Sequence, residues 1–200
     1  MTFINFYAIL ILNNILSIRE DFLMKKHIVC LGDSNTHGYC ADPADCADGG
    51  IRFNESERWT RLLQKHLGEE YLVIEEGLSG RTTCFEDPLH EGLSALNYIY
   101  PCLKSHEFVD LLVIMLGTND VKERFSASAA CVAIAMGRGC REKSLELAKY
   151  YKEQCDLCGV HFLDAQDLGA EFNTVDYMHL TKKGHAALAE NLAKHIPGLL

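Results

Sequence analysis

Basic residues are scarce: 19 lysines and arginines stand against 28 aspartates and glutamates, a net charge of −9 with neutral histidines. A nucleic-acid-binding chain would carry basic clusters, so no nucleic-acid partner is expected. The sequence also lacks a Gly-X-Y period, a heptad register, a proline-rich tract and any long self-repeat, which removes fibrous, coiled-coil and solenoid architectures. There is no framework spacing among the nine cysteines, at 30, 40, 46, 84, 102, 131, 140, 155 and 158. They read as free thiols of a reducing cytoplasm. Cys155-Asp-Leu-Cys158 with His161 resembles half a zinc site, but no second CxxC or HxxxH completes four ligands, and no metal is expected. What remains is 200 residues, 48% of them apolar, enough for one acidic globular domain with a real core.

The first 23 residues lack charge where a targeting segment would need it. Thr2 to Ile18 is uncharged and apolar, yet Asn5, Asn13 and Asn14 interrupt it, and a spanning helix needs about 20 apolar residues. A signal peptide opens on basic residues and closes on small ones, whereas this stretch runs into Arg19-Glu20-Asp21. Stable membrane insertion is therefore not expected. Residues 1–23 read as an apolar N-terminal extension, outside the native product, ahead of a domain spanning 24–200. The other reading is a weak membrane-associating helix.

From Met24 onward, strands and helices alternate. His27-Ile-Val-Cys-Leu31 reads as a buried strand ending in the turn Gly32-Asp33-Ser34. Ser56 is expected to cap a helix that puts Trp59, Leu62, Leu63 and Leu67 on one face. Tyr71–Ile74 is a second strand leading into Gly77-Leu-Ser-Gly80, and a helix follows within 89–104, disturbed at Pro101. Val109–Leu116 is the clearest buried strand and ends at Gly117-Thr-Asn-Asp120. Helices are expected over about 126–136 and 141–154, a strand over Val160–Leu163, and a last helix from Thr181 to about His195. Apolar strands separated by helices predict an α/β protein: a flavodoxin-like three-layer α/β/α sandwich on a short parallel sheet.

In such sheets chemistry sits outside the carboxyl ends of the strands. Ser34 follows a strand and precedes a helix, which exposes its hydroxyl and places its N–H where negative charge is stabilised. A serine hydroxyl needs a base to become a nucleophile. His179 can be that base, with Asp176 fixing its tautomer. The N–H groups of Ser34 and Gly80 and the amide of Asn119 can form a three-donor oxyanion hole. Taken singly, Ser34 is an ordinary helix cap, Asn119-Asp120 a turn, Gly80 a left-handed position and His179 one histidine of nine. Asp33, Arg81 and Asp120 read as loop supports. Glu75-Glu76 is no acid/base dyad, because neighbours on a strand point to opposite faces. Asp42, Asp45 and Asp48 fit no calcium loop and read as a solvated loop near the site mouth, facing substrate or another subunit.

GDSNTHGY (32–39), GLSGRTT (77–83), GTND (117–120) and DYMHLTKKGH (176–185) together resemble the signature blocks of the GDSL/SGNH hydrolase family. VIEEGLSGRTT and VDLLVIMLGTND are similar, more narrowly, to its arylesterase/acyltransferase branch. The resemblance implies an SGNH hydrolase fold and a catalytic Ser34, Asp176 and His179. It further implies oxyanion donors at Ser34, Gly80 and Asn119, small acyl or aryl ester substrates, acyl transfer to alcohols in some members, no cofactor, and homo-oligomers. Two positions depart from the family pattern. His37 stands where relatives often carry an aromatic that shapes the acyl pocket. The segment 121–175 holds 55 residues, short of a complete extra strand with its flanking helices. The sheet is therefore expected to lack one strand between 121 and 159, with the last strand shifted inward by about 4.8 Å. Two functional readings follow: a cytoplasmic serine esterase, or a catalytically impaired relic serving as a binding or oligomer-forming module.

Overall fold

The computed structural model describes residues 8–13, 24–120, 122–125 and 140–200. The elements are β1 (Ala8–Asn13), β2 (Lys26–Gly32), α1 (Ser34–His37), α2 (Trp59–Leu67), β3 (Tyr71–Gly77), α3 (Ala95–His106), β4 (Leu111–Leu116), α4 (Cys140–Cys158), β5 (His161–Asp164) and α5 (Lys182–His195). They build one five-stranded sheet in the order β3-β2-β4-β1-β5. The ladders β2–β3 and β2–β4 are parallel, while β1 runs antiparallel to both of its neighbours. The sheet is thus the expected α/β one, with a single reversed strand inside it.

Alternation along the strands sorts the core into two layers. Ile28, Cys30, Leu111, Val113 and Met115 pack with Trp59 and Leu63 of α2 and Leu188 and Leu192 of α5 on one face. Val29, Leu31, Leu112 and Leu116 pack with Ala95 and Cys102 of α3 on the other. Strands with apolar side chains on both faces suit a sheet sandwiched between helices. Thr181 caps α5 as expected, its hydroxyl accepting the Gly184 N–H at 2.9 Å. Ser56 does not cap α2: the helix begins at Trp59, and Ser56 bonds Asn54 Oδ1 instead. Pro101 sits inside α3, which runs on to His106.

The N-terminal reading is corrected for residues 8–13. These residues are a strand inside the sheet, paired over six positions with β4 (Ala8↔Leu116 to Asn13↔Leu111) and over four with β5. Ile9 and Ile11 are fully buried in the α2/α5 layer, and Leu12 packs toward the opposite layer, the period-2 pattern of a central strand. Among the described residues between 121 and 159 there is no strand, as the short segment implies. The helix expected over 126–136 lies outside the described residues. The inward shift of the last strand is also corrected: β5 pairs with β1, not with β4. Chain from the N-terminus fills the place the short segment leaves open, so β5 keeps a distance of two strand spacings from β4, about 9–10 Å. Among the described residues no helix is long and apolar enough to cross a membrane.

Candidate active site

Ser34 is the first residue of α1, directly after β2. Asp33 caps this one-turn helix by accepting the Asn35 N–H at 3.0 Å, and Gly38, at φ 86°, closes it. The turn is tight enough that a Cβ on Gly77, at the end of the neighbouring strand, would lie 2.2 Å from the His37 nitrogen. That packing accounts for the glycine between β3 and the loop that follows.

From the far side of the sheet, the loop between β5 and α5 brings His179 to Ser34. His179 Nε2 lies 2.9 Å from Ser34 Oγ, and His179 Nδ1 lies 2.6 Å from Asp176 Oδ2. With the ring proton on Nδ1 donated to Asp176, Nε2 is free to accept from the serine hydroxyl. The other oxygen of Asp176 accepts N–H groups from Met178 (2.9 Å) and His179 (3.2 Å) and from the Asn173 amide (3.0 Å). Burial opposes the charge on Asp176, but the Met178 N–H, His179 and Asn173 outweigh it and hold its carboxyl below the usual range. Those same bonds stabilise Tyr177 at φ 59°, a left-handed conformation uncommon for a bulky residue.

The residues expected to donate to an oxyanion lie along the same cavity. Gly80 adopts φ 88° in the turn after β3, a conformation that favours glycine. Asn119, 5% exposed in the turn after β4, donates its amide to Arg81 O at 3.0 Å and to Asp33 Oδ2 at 3.5 Å. Ser34, Gly80, Asn119, Asp176 and His179 all line one cavity of about 240 Å³, shared with Lys122. The sequence-predicted catalytic and oxyanion residues are therefore together in space.

Arg81, Asp120 and Asp33 are bonded into the loops around the cavity. Arg81 donates from Nη1 to Gly32 O (3.0 Å) and to Glu76 O, tying the serine turn to the end of β3. Asp120 accepts both the N–H and the hydroxyl of Thr83, joining the Asn119 turn to the Gly80 loop. Asp33 is fully buried, and burial followed by the charge of Asp120 pushes its carboxyl up to about 7 against the Asn35 N–H, Lys122 and Arg81.

Several residues important to the site escaped the sequence reading. Asn35, 0% exposed, donates its amide to Met178 O (3.2 Å) and accepts the Leu180 N–H (2.8 Å), gripping the backbone on both sides of His179. Asn173 bonds Asp176 and the His179 carbonyl (2.7 Å). The Tyr39 ring lies 4.5 Å from the His179 ring. Asn35 and Tyr39 sit within the Ser34 block itself, which is the one signal that could have found them. His37 does not line the cavity. Its carbonyl accepts from Arg52 Nε at 2.8 Å, and burial, then Arg52, lowers the ring's pKa. The acidic loop is tied down rather than free: Asp45 accepts the Lys182 N–H, and Glu57 accepts from Ala47 N and Lys182 Nζ. Glu75 and Glu76 face opposite ways, as adjacent strand residues must. Glu75 pairs bidentately with Arg58 (2.7 and 3.0 Å), and Glu76 turns to α3.

A serine, a histidine and an aspartate in hydrogen-bonded sequence at the carboxyl edge of a three-layer α/β/α sheet, with a glycine and an asparagine lining the same cavity, define an SGNH-type hydrolase. The comparisons name the family. Residues 30–143, more than half of the chain, match the GDSL-like lipase/acylhydrolase family model, and the chain belongs to that family. Its fold matches the native aryl esterase of M. smegmatis with a TM-score of 0.78 at 30% identity, covering 88% of this chain and 100% of the other. A carbohydrate acetylesterase from Sinorhizobium meliloti matches with a TM-score of 0.78 at 28% identity, over 88% of this chain and 100% of that one. Among curated proteins no sequence matches significantly. Family and structural relatives alike are those of ester hydrolases.

Proposed function

We propose that the chain is a serine esterase acting on small acyl or aryl esters through an acyl-enzyme, with Ser34, His179 and Asp176 as its catalytic residues. The observation that carries the reading is the 2.9 Å contact between Ser34 Oγ and His179 Nε2, completed by the 2.6 Å contact to Asp176. Ser34 Oγ attacks the ester carbonyl carbon as its proton passes to His179 Nε2, and Asp176 stabilises the imidazolium. The carbonyl oxygen becomes an oxyanion held by the N–H groups of Ser34 and Gly80 and by the Asn119 amide. Collapse expels the alcohol, which takes the proton from Nε2 and leaves Ser34 acylated. Water then gives its proton to Nε2, attacks the acyl carbon and releases the acid, and the proton returns to Ser34. An alcohol in place of water gives a new ester by the same steps. No step uses a metal or cofactor. A reducing cytoplasm is the proposed setting, supported by seven described cysteines that are all unpaired.

The test is p-nitrophenyl acetate hydrolysis and fluorophosphonate labelling of the full chain beside Ser34→Ala. Hydrolysis and labelling that both vanish in the folded variant support the reading. Labelling that persists in Ser34→Ala, or equal background rates from two folded proteins, rejects it.

A further inference from the structure

Cys155, Cys158 and His161, the metal-like combination in the sequence, do not gather into a ligand set. A different set does. Tyr98, Cys102 and His106 recur every fourth residue on α3 and share one face, opposite Glu76 near the end of β3. Ligand atoms of Glu76, Cys102 and His106 all lie within 4.8 Å of one another. His106 Nε2 lies 2.9 Å from Glu76 Oε1, and the Tyr98 hydroxyl donates to Glu76 Oε2 at 2.8 Å.

We infer that Glu76, Cys102 and His106 form a binding site for one thiophilic divalent cation of the zinc class, separate from the Ser34 cavity. One thiolate, one imidazole and one carboxylate are the mixed donors such an ion takes, with a fourth position open to water. Tetrahedral coordination at about 2.0–2.3 Å separates ligand atoms by roughly 3.3–3.6 Å, a spacing that small side-chain rotations reach from ligand atoms already within 4.8 Å of one another. Cys102, 2% exposed, forms its floor, while the His106 and Glu76 side chains, 23% and 19% exposed, leave a path from solvent. The hydrogen bond from Tyr98 orients the Glu76 carboxylate as an outer partner of the ion would.

Binding exchanges protons for the ion. Burial and the Glu76 charge, against the Arg81 guanidinium and the Tyr98 hydroxyl, hold the free Cys102 thiol up at about 11. The ion replaces that thiol proton, which passes to solvent, so affinity falls as the pH falls. The ion joins the end of β3 to α3 and takes no part in ester cleavage, because none of its three ligands lines the Ser34 cavity. The inference therefore stands whether or not the esterase reading does.

The experiment is a cobalt(II) titration of the full chain under reducing conditions, followed by the thiolate-to-cobalt charge-transfer band and the intense visible bands of a tetrahedral ion. One equivalent per chain is expected to give both. They vanish in Cys102→Ser and weaken at least tenfold in apparent affinity in His106→Asn, but persist when the exposed thiols are removed in Cys84→Ser/Cys158→Ser. Zinc is expected to displace the cobalt stoichiometrically and to raise the melting temperature of the parent chain but not of Cys102→Ser. Where Cys102→Ser fails to fold, Glu76→Gln, which keeps all nine thiols, is expected to weaken the apparent affinity at least tenfold, and an unchanged affinity overturns the proposal. Absence of a thiolate band, a band that survives Cys102→Ser, or one lost only with Cys84 and Cys158 overturns the proposal.

Discussion

Replacing Ile11 by alanine tests whether the N-terminal strand belongs to the working protein. Ile11 is fully buried beside Trp59, Leu63, Leu188 and Leu192, in a strand paired on both sides. Emptying such an isoleucine site costs about 2–5 kcal/mol, a large share of a stability of about 5–15 kcal/mol. At about 2–4 °C per kcal/mol for a domain of this size, the melting temperature should fall by roughly 4–20 °C. Leu96→Ala, at a position 64% exposed, is the control and should change stability by less than about 0.5 kcal/mol. The stronger perturbation is a chain beginning at Met24. It loses both β1 ladders and leaves β4 and β5 about two spacings apart. Re-pairing would require β5 to move inward by about 4.8 Å, carrying the root of the loop that bears Asp176 and His179. A misplacement of 1 Å already costs about 10²-fold in rate, so the shortened chain should lose at least that much kcat/KM on p-nitrophenyl acetate or fail to stay folded. Thermal melts by circular dichroism and initial rates on all four proteins decide. An unchanged melt for Ile11→Ala, together with parent activity from the Met24 chain, would refute the reasoning and return residues 8–13 to the status of an appendage.

Three further outcomes follow from the site. Asn35→Ala leaves Met178 O and Leu180 N–H without their buried partner; it should destabilise the fold by about 2–5 kcal/mol and lower kcat about 10–100-fold with KM little changed, read by melts and steady-state rates. Asn119→Ala removes one proposed oxyanion donor and should reduce kcat about 10²–10³-fold while the Ser34 hydroxyl still reacts with a fluorophosphonate. Asp33→Asn concerns pH: the folded carboxyl, raised to about 7 mainly by burial, holds a proton that the unfolded chain, near the ordinary 3.8, gives up. The folded state therefore binds more protons across that window, and Asp33's contribution to stability falls as pH rises from about 4 to about 7. The substituted amide keeps the cap and does not titrate, so the variant should gain on the parent between about pH 4 and 7; parallel denaturation curves across that range would refute the assignment.

How far the sequence carried the site depended on local chemistry. Gly32-Asp33-Ser34, Gly80 and Gly117–Asp120 each follow an apolar strand, and a strand end fixes both the position and the direction of the residue after it. The proposed Ser34, Asn119 and His179 were therefore legible from strand placement and donor chemistry, and the family resemblance added their order. Asn35 and Asn173 were not legible in this way. Their task is to hold backbone atoms of Met178, His179 and Leu180, and a side chain that bonds backbone leaves no paired partner in the sequence to betray it. The Ser56 cap failed for a related reason: Asn54, two residues earlier, captures both the Ser56 N–H and its hydroxyl.

The N-terminal strand shows the opposite limit, where a strong local signal was present and its destination was not. Residues 2–18 are apolar and uncharged, a composition compatible with a membrane helix, a leader or a buried strand. Choosing among the three requires knowing what empty surface the rest of the chain offers. The 121–175 segment announced such a surface by being too short to supply a full extra strand, but a shortage at one end of a sequence does not say which other segment will fill it. Pairing in a sheet depends on neither chain order nor direction, so a strand from the far N-terminus can enter antiparallel between two parallel neighbours, provided its alternate side chains suit both layers. Ile9 and Ile11 meet one layer and Leu12 the other. The deficit and its remedy were both written in the sequence, more than 100 residues apart, and only the fold connects them.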